Sequence, residues 1–204
     1  MTTRQPNSLT NRTYDKIAAR YATRTLYPMT RELDTFLSYI PHGGLVLDIG
    51  SGPGDYAQLI AARGYRVLAL DLSSGMLRVA AKRGTSNLVR ADMCRLPLPH
   101  HMAAGAFLSA SLLHLPKSSA VAALQEVQRV LQPGGTAYFS VKEGCGDAHV
   151  TEPEGDMRFF AYYQAAEFDA LWQTVGFTPV EGWISVPGTQ QNHRWINRVV
   201  RKDN

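Results

Sequence analysis

A short apolar run, Leu45–Ile49, is followed by glycine at every second position: Gly50, Gly52 and Gly54. Glycine can take a positive φ and has no Cβ, so a turn of this kind lets bare backbone meet a ligand. A second apolar run ends at Asp71, 21 residues after Gly50. That is about the distance at which a βαβ unit places a carboxylate beside a ribose diol. The spacing predicts a nucleoside-containing ligand in a doubly wound α/β domain.

The glycine spacing also distinguishes between such ligands. The dinucleotide fingerprint is G-x-G-x-x-G, whereas this turn reads G-x-G-x-G and has Asp55 where the last dinucleotide glycine would stand. A carboxylate there would face a pyrophosphate, which is electrostatically unfavourable. The sequence has no G-x-x-x-x-G-K-[ST] phosphate loop either. A ligand with a ribose, no phosphate and a cationic group fits better, and S-adenosylmethionine is such a ligand.

With these residues the chain resembles the class I S-adenosylmethionine-dependent methyltransferases, of the small-molecule type related to quinone-biosynthesis methyltransferases. The resemblance covers roughly Tyr14 to the C-terminus and depends on motifs that follow one another in the order of the family. The motifs are Asp48–Gly54, the strand end at Asp71, Ala91–Met93 followed by Leu96–Pro99, Ser111–Leu115, and Arg129–Gly135. The resemblance implies a Rossmann-like three-layer sandwich that takes S-adenosyl-L-methionine and releases S-adenosyl-L-homocysteine.

Cofactor contacts are predicted at strand ends and on an N-terminal helix. Asp71 has the carboxylate that two ribose hydroxyls need as an acceptor; its alternative role is a helix N-cap. Asp48 is expected to organise the glycine turn or, through water, the amino end of the cofactor. The resemblance implies that Asp92 accepts from the adenine amino group, although it could be a simple turn residue. The predicted cofactor-binding residues are Tyr14, Tyr21, Asp48, Gly50, Ser51, Gly52, Gly54, Asp71, Leu72 (packed on the adenine), Asp92 and Met93.

His114 and Tyr21 are the candidate catalytic residues. A sulfonium methyl is already activated, so the protein mainly aligns donor and acceptor, which can supply roughly 7–11 kcal/mol. His114 follows the carboxyl end of a strand, where open α/β sheets bind ligands, and a pKa of about 6.5 suits a general base. The alternative is a histidine that lines the pocket or caps a helix. Tyr14 and Tyr21 share a helical face, either as a core stripe or as a lid near the sulfonium.

Two late segments are expected to border the acceptor. Arg158–Tyr163 could form one of its walls. Glu143–Met157 is expected to be a glycine-rich loop, and its mixed ligand types and irregular spacing argue against a metal site. Gly105 stands where relatives commonly carry an acid. Ser109 and Ser111 leave the carboxyl end of the same strand without a strong acid. We therefore expect metal-independent, in-line methyl transfer to an O, N or C acceptor.

Composition limits the remaining possibilities. A chain of 204 residues suits a single domain, here 1–204, with a flexible tail over 1–9 and a helical lid over 10–40. Its two cysteines form no framework, and no apolar run reaches the roughly 20 residues of a membrane span. Because the N-terminus lacks a signal core, we expect a cytoplasmic protein. The net charge of +4 is scattered, which argues against a nucleic-acid partner; the oligomeric state cannot be read.

Hydrophobic periodicity predicts alternating strands and helices. Strands are expected near 45–49, 66–71, 87–90, 104–110, 135–142, 177–184 and 194–201, and helices near 13–22, 31–40, 55–63, 75–82, 118–131 and 164–175. This alternation implies right-handed parallel crossovers. The last two strands, separated by the Pro187–Gly188 loop, should form an antiparallel hairpin at one edge of a seven-stranded sheet.

Three functions are compatible with these residues. The favoured one is a methyltransferase that acts on a small molecule. A nucleotide-dependent oxidoreductase could use a similar sheet, but the glycine spacing and Asp55 argue against it. The third is a protein that binds S-adenosylmethionine without transferring its methyl group, or that uses the fold for another reaction.

Overall fold

A computed structural model describes residues 6–24, 26–186 and 193–203. In these ranges the chain forms six α-helices and nine strands. In chain order they are α1 (Pro6–Tyr21), α2 (Thr30–Ser38), β1 (Leu45–Ile49), α3 (Asp55–Ala62), β2 (Arg66–Asp71), α4 (Ser74–Lys82), β3 (Leu88–Arg90), β4 (Ala103–Ser109), α5 (Lys117–Val130), β5 (Leu131–Lys142), β6 (Asp147–Thr151), β7 (Met157–Ala161), α6 (Ala165–Gln173), β8 (Phe177–Ser185) and β9 (Trp195–Lys202). A single 3₁₀ turn, Leu112–His114, follows β4.

Seven of these strands form one sheet in the order β3-β2-β1-β4-β5-β9-β8. The first five are parallel, while β9 runs antiparallel to both β5 and β8. The predicted Rossmann-like sheet with an antiparallel C-terminal hairpin is therefore confirmed. The Pro187–Gly188 loop lies outside the described residues.

Neighbouring residues of the central strands bury their side chains in two different cores. Phe107 of β4 and Tyr138 of β5 pack with α2 and α3, and their rings stack with centroids 4.7 Å apart. Leu108 and Phe139, one position further along, pack on the opposite face with α5 and α6. Strands buried on both faces read as continuous apolar runs, which explains why their sequence pattern was so clear. The two cores give the three-layer sandwich.

Helix α1 lies across α4 and β7 instead of on the sheet. The Asp15 carboxylate accepts hydrogen bonds from the Ser73 hydroxyl and the Gly75 amide, both at 2.7 Å. Thr10 accepts from the Phe159 amide at 2.9 Å, and Thr13 donates to the Met157 carbonyl at 2.6 Å. The helix begins at Pro6, so residues 6–9, which we expected in the tail, are helical; 1–5 lie outside the described residues.

The segment Glu143–Met157, expected to be a loop, contains one strand and the start of another. Strands β6 and β7 pair antiparallel from Asp147↔Ala161 to Thr151↔Met157, apart from the main sheet. The prediction was wrong because β6 is only five residues long, with Ala148 and Val150 partly buried, so its apolar signature is weak. The turn between the strands carries acidic residues that pair with α1. Among these ion pairs are Lys16–Asp156 (2.7 Å), Arg20–Glu152 (3.1 Å) and Arg20–Glu154.

Candidate functional site

The glycine turn after β1 is tied to the end of β2. The amides of Gly50 and Ser51 both donate to the Leu70 carbonyl, at 2.8 and 3.0 Å. Gly50 has φ 78°, and a Cβ there would overlap the side chain of Ser111. Gly52 has φ 55°, and nothing lies within 4 Å of the position its Cβ would take. The turn therefore needs glycine for two reasons: close packing at Gly50, and open backbone facing a pocket at Gly52.

Asp71 joins this turn to the next helix. One carboxylate oxygen accepts from the Gly52 amide and the other from the Ser73 amide, each at 2.8 Å. Ser73, and not Asp71, is the N-cap of α4, because its hydroxyl accepts from the Met76 amide at 3.1 Å. Burial raises the pKa of Asp71, and its two backbone donors oppose that rise. Each oxygen can still accept another hydrogen bond on the pocket side.

Asp48 lies behind the turn as a buried acid. It is 2% exposed, and its Oδ2 atom has no hydrogen-bond partner in the described parts of the chain. Burial, reinforced by the charge of Asp71, raises the pKa of Asp48 to about 8. The carboxyl has a backbone donor at Ala57, but a buried oxygen without a partner is costly, so Oδ2 would gain from a nearby cation or a bound water.

A pocket lies over the carboxyl ends of β1, β2 and β4, underneath α1. It brings together most of the predicted cofactor residues: Tyr14, Tyr21, Gly50, Ser51, Gly52, Asp71, Leu72, Asp92 and Met93. Asp48 and Gly54 are not among the residues that line it, since Asp48 is behind the turn and Gly54 is the N-cap of α3. Asp92 uses one carboxylate oxygen to accept from the Cys94 amide at 2.9 Å.

Arg24 also lines this pocket and was not predicted from the sequence. Its guanidinium carbon lies 3.3 Å from the centroid of the Tyr21 ring, and burial lowers its pKa. The nearby acid Asp55 is engaged by Arg83. Among the ion pairs of the described residues none involves Arg24, so its charge is available for an anionic group in the pocket.

Three side chains meet at one end of the pocket. The Tyr14 hydroxyl lies 2.7 Å from Nε2 of His114, and Nδ1 of that ring lies 2.8 Å from the Phe159 carbonyl. A carbonyl only accepts, so Nδ1 carries the proton and Nε2 accepts from Tyr14. Arg158 in turn donates to the Tyr14 hydroxyl at 3.0 Å. Burial lowers the pKa of His114 to about 3, so the ring is neutral, and a base role would require Tyr14 to release Nε2.

A second pocket, with a volume of about 350 Å³, adjoins the first. Two of its residues, Arg158 and Phe160, belong to the segment predicted to form an acceptor wall; Phe159, Ala161 and Tyr163 of that segment are buried. The residues that line both pockets are Tyr14, Tyr21, Arg24, Tyr56, Ser109, Ala110 and His114. The hydrogen-bonded Tyr14–His114 pair thus stands where the two pockets meet.

Within residues 6–24, 26–186 and 193–203, no three His, Cys, Asp or Glu side chains come close enough together to hold a metal ion. None of the helices in this part of the protein has the length and apolarity needed to cross a membrane.

The middle of the chain is similar to known methyltransferases. Residues 46–135 match the methyltransferase domain family. The chain is 40% identical over 99 residues to malonyl-[acyl-carrier protein] O-methyltransferase of Serratia marcescens, covering 48% of this chain and 38% of the relative. It is 30% identical over 132 residues to tRNA (carboxymethyluridine(34)-5-O)-methyltransferase of Arabidopsis thaliana, covering 64% and 32%. The chain thus spans less than half the length of these curated relatives.

The fold is also found among solved structures. The 1,6-didemethyltoxoflavin-N1-methyltransferase of Burkholderia thailandensis, with bound 1,6-didemethyltoxoflavin and S-adenosylhomocysteine, superposes with a TM-score of 0.79. That likeness covers 97% of this chain and 89% of the other at 19% sequence identity. At this identity the match concerns the fold, and it extends across the sheet and the N-terminal helix.

Proposed function

Because the chain belongs to the class I S-adenosylmethionine-dependent methyltransferases, we propose that it transfers a methyl group from S-adenosylmethionine to a small-molecule acceptor. The observation that carries the proposal is the meeting of two pockets at Tyr14 and His114, one over the glycine turn and one beside it. Such an arrangement can hold a donor and an acceptor end to end. Alignment of this kind is the main contribution that a protein makes to a two-reactant transfer.

The residues of the first pocket fit the proposed cofactor. The open backbone at Gly52 admits a ligand, and the orphaned Oδ2 of Asp48 suits a cationic one. Asp71 would accept from the ribose hydroxyls, Asp92 from the adenine amino group, and Arg24 would hold the carboxylate of the methionine moiety. When bound, S-adenosylmethionine supplies a methyl group already activated by its sulfonium.

At the junction, Tyr14 acts as a positioning residue. Its hydroxyl is fixed from two sides, by the neutral His114 ring and by Arg158, and its aromatic ring packs edge-on against Tyr21 with centroids 5.4 Å apart. Aromatic rings attract cations through their π-face. The pair therefore supports a role in holding the sulfonium end of the donor toward the second pocket.

The acceptor is proposed to be small because the second pocket is a cleft of about 350 Å³ lined by side chains of α2, β5 and β9. The two relatives named above are both O-methyltransferases by name, which favours oxygen over nitrogen or carbon as the acceptor atom. A macromolecular acceptor, as the Arabidopsis name implies for that protein, is an outcome of the test below. The relation to quinone biosynthesis, the cytoplasmic location and the lack of a nucleic-acid partner stay predictions.

Thermal unfolding with S-adenosylmethionine, S-adenosylhomocysteine and NAD tests the cofactor. At a hundred times its dissociation constant a ligand adds about 2.7 kcal/mol, which is roughly 5–10 °C for a domain of this size. We expect both adenosyl-sulfur compounds, and not NAD, to raise the Tm. Stabilisation by NAD alone would indicate the oxidoreductase instead.

Methyl-labelled S-adenosylmethionine then tests the transfer. It is incubated with the protein and, in separate arms, with metabolite pools of low molecular mass, tRNA and a proteome. Label in the small-molecule arm is expected. Label in the tRNA or protein arm alone would overturn the small acceptor, and binding with no transfer in any arm would indicate a protein that only binds the cofactor.

Tyr14→Phe is expected to lower kcat about 10- to 100-fold while the affinity for S-adenosylhomocysteine changes by less than three-fold. The ring remains, but the His114 and Arg158 groups lose their shared partner, and misplacement by about 1 Å can cost 10²-fold. The matched control is Tyr39→Phe, which removes a hydroxyl that donates to Glu181 on the surface. Single-turnover rates with the labelled cofactor measure the effect.

The pH profile of the same reaction separates positioning by His114 from general-base catalysis. With a pKa of about 3, His114 stays neutral across the working range, so kcat should not fall as the pH drops through about 6.5. A kcat that decreases around that pH in the wild type, and no longer does so in His114→Gln, would restore the base role.

A further inference from the structure

The second pocket carries an excess of positive charge. Arg24, Lys142 and Arg158 line it, against a single acid, Glu32. His193 also lines it, and burial together with the charge of Lys142 lowers the pKa of that imidazole, so it is neutral at pH 7. A pocket lined in this way favours an anionic ligand.

Lys142, like Arg24, forms no ion pair with the described residues, and it is the one of the two that lines the second pocket alone. It lies at the end of β5, with its ammonium nitrogen 4.4 Å from the centroid of the Phe160 ring and 5.8 Å from that of Trp195. No carboxylate of the described chain lies within ion-pair distance of it. Burial and the charge of Arg158 both lower its pKa, so the ammonium is held at a cost that an anion would relieve.

Arg158 lies beside Lys142 and links it to the junction. Its guanidinium carbon is 5.1 Å from the same Phe160 ring. It donates to Glu152 and Tyr14, which uses three of its five N–H groups. The remaining N–H groups can donate to a carboxylate next to the Tyr14 hydroxyl, where the acceptor atom must come to reach the methyl donor.

Neither the carboxylate of the cofactor nor Glu32 neutralises the charge of Lys142. Lys142 and Arg158 line only the second pocket, whereas Arg24 lines both and suits the carboxylate of the cofactor itself. Glu32 acts on Tyr138, whose pKa it helps to raise. Tyr138 precedes Lys142 by four residues on β5, which is about 13 Å along the strand. The charge of Glu32 also helps to raise the pKa of Tyr56, and among the ion pairs of the described residues none joins Glu32 to Lys142.

Among the described residues that line both pockets none is a free base, while the imidazole of His193 lines the second pocket alone. Nε2 of His114 is occupied by the Tyr14 hydroxyl. An alcohol, or an amine that enters as its ammonium ion, would need a proton removed. A carboxylic acid, in contrast, is already ionised at neutral pH. A carboxylate is thus an oxygen nucleophile that can pair with Lys142 and that needs no base.

On these grounds, and resting on the proposed function, we infer that the acceptor is a small carboxylate held by Lys142 and Arg158, and that the product is its methyl ester. One carboxylate oxygen attacks the methyl carbon, a C–O bond forms, and the C–S bond breaks with its electron pair left on sulfur. The negative carboxylate and the positive sulfonium both become neutral. No proton is transferred.

Matched carboxylate and amide probes test the binding step. Acetate, benzoate and phenylacetate are each compared with acetamide, benzamide and phenylacetamide at constant ionic strength, using protein saturated with S-adenosylhomocysteine and thermal unfolding as the readout. We expect at least one carboxylate to bind at least ten-fold more tightly than its amide. Lys142→Met should abolish that preference, and Lys142→Arg should retain it. Lys82→Met, at the exposed end of α4, is the matched control.

The outcomes separate this inference from the proposed function. Equal or absent binding of every acid and amide, or a preference that survives in Lys142→Met, would overturn the carboxylate. The response of Lys142→Met to S-adenosylhomocysteine shows that the variant is folded. In the labelled-methyl reaction a methyl ester releases its label as methanol under mild alkali. Label that resists alkali would contradict the inference and still support methyl transfer, whereas no response to either adenosyl-sulfur compound would contradict both.

Discussion

Asp71→Ala is expected to weaken S-adenosylmethionine binding by about 2–4 kcal/mol, or roughly 30- to 1000-fold. Two effects add. The ribose hydroxyls lose a charged acceptor, and the amides of Gly52 and Ser73 lose the carboxylate that holds the turn and the start of α4 together. Isothermal titration with S-adenosylhomocysteine measures the change in the absence of any acceptor.

Two controls make this result specific. Asp34→Ala removes a carboxylate that pairs with Arg63 on the surface and should leave affinity unchanged. Asp71→Asn keeps the size of the side chain and one acceptor oxygen, so its loss should be intermediate. An Asp71→Ala protein that is folded and binds with wild-type affinity would remove Asp71 from the cofactor site.

Asp48→Asn is expected to stabilise the free protein and to lower its affinity for the cofactor. Asp48 has a pKa of about 8 in the folded state against an ordinary value of 3.8. The folded state therefore holds a proton that the unfolded state has lost, and stability falls as the pH rises from about 4 to about 8. Asparagine cannot ionise, so the variant should lack that decline. At pH 8 we expect a gain of roughly 1–3 kcal/mol, or about 2–10 °C in Tm.

Bound cofactor should shift Asp48 from its protonated form to its ionised form. A cationic ligand near the turn favours the ionised form of Asp48, so binding to the wild type at pH 7 should release up to one proton. Titration in buffers of different ionisation enthalpy detects that proton, and Asp48→Asn should release none and bind about ten-fold more weakly. Asp147→Asn, on the exposed strand β6, is the control. Equal proton release in both variants would show that Asp48 does not respond to the ligand.

The features that the sequence predicted well are those that a few adjacent residues determine. The central strands are buried on both faces and appear as apolar runs, and the turn after β1 needs glycine for local reasons at Gly50 and Gly52. The position of Asp71 at a strand end beside that turn was predicted from its distance to the glycines, and its role toward the ribose stays a prediction. Each of these signals depends on a few consecutive positions or on one fixed spacing.

The features that were missed are a short strand, the hydrogen bonds between residues far apart in the chain, and Arg24. Strand β6 pairs only with β7, and its alternation of polar and apolar residues spans five positions with two partly buried side chains, which is too short a signal to mark a strand. The hydrogen bonds of Tyr14 to His114 and Arg158 join positions 100 and 144 residues apart, and no local pattern encodes such a pairing. Arg24 follows the end of α1 as one arginine among many basic residues, and only the pocket around it distinguishes it.

The attachment of α1 has a consequence for the order in which the protein assembles during synthesis. Asp15 can reach its partners on α4 once the chain extends about 60 residues beyond it, at Ser73 and Gly75. Thr13 must wait for Met157, which is 144 residues further on. At translation rates of roughly 5–20 residues per second that is a delay of about 7–30 s. The five parallel strands end at Lys142 and so precede β7 along the chain. They can pair before the roof over their carboxyl edge is attached, and a nascent chain carries an open cofactor cleft until β7 has emerged.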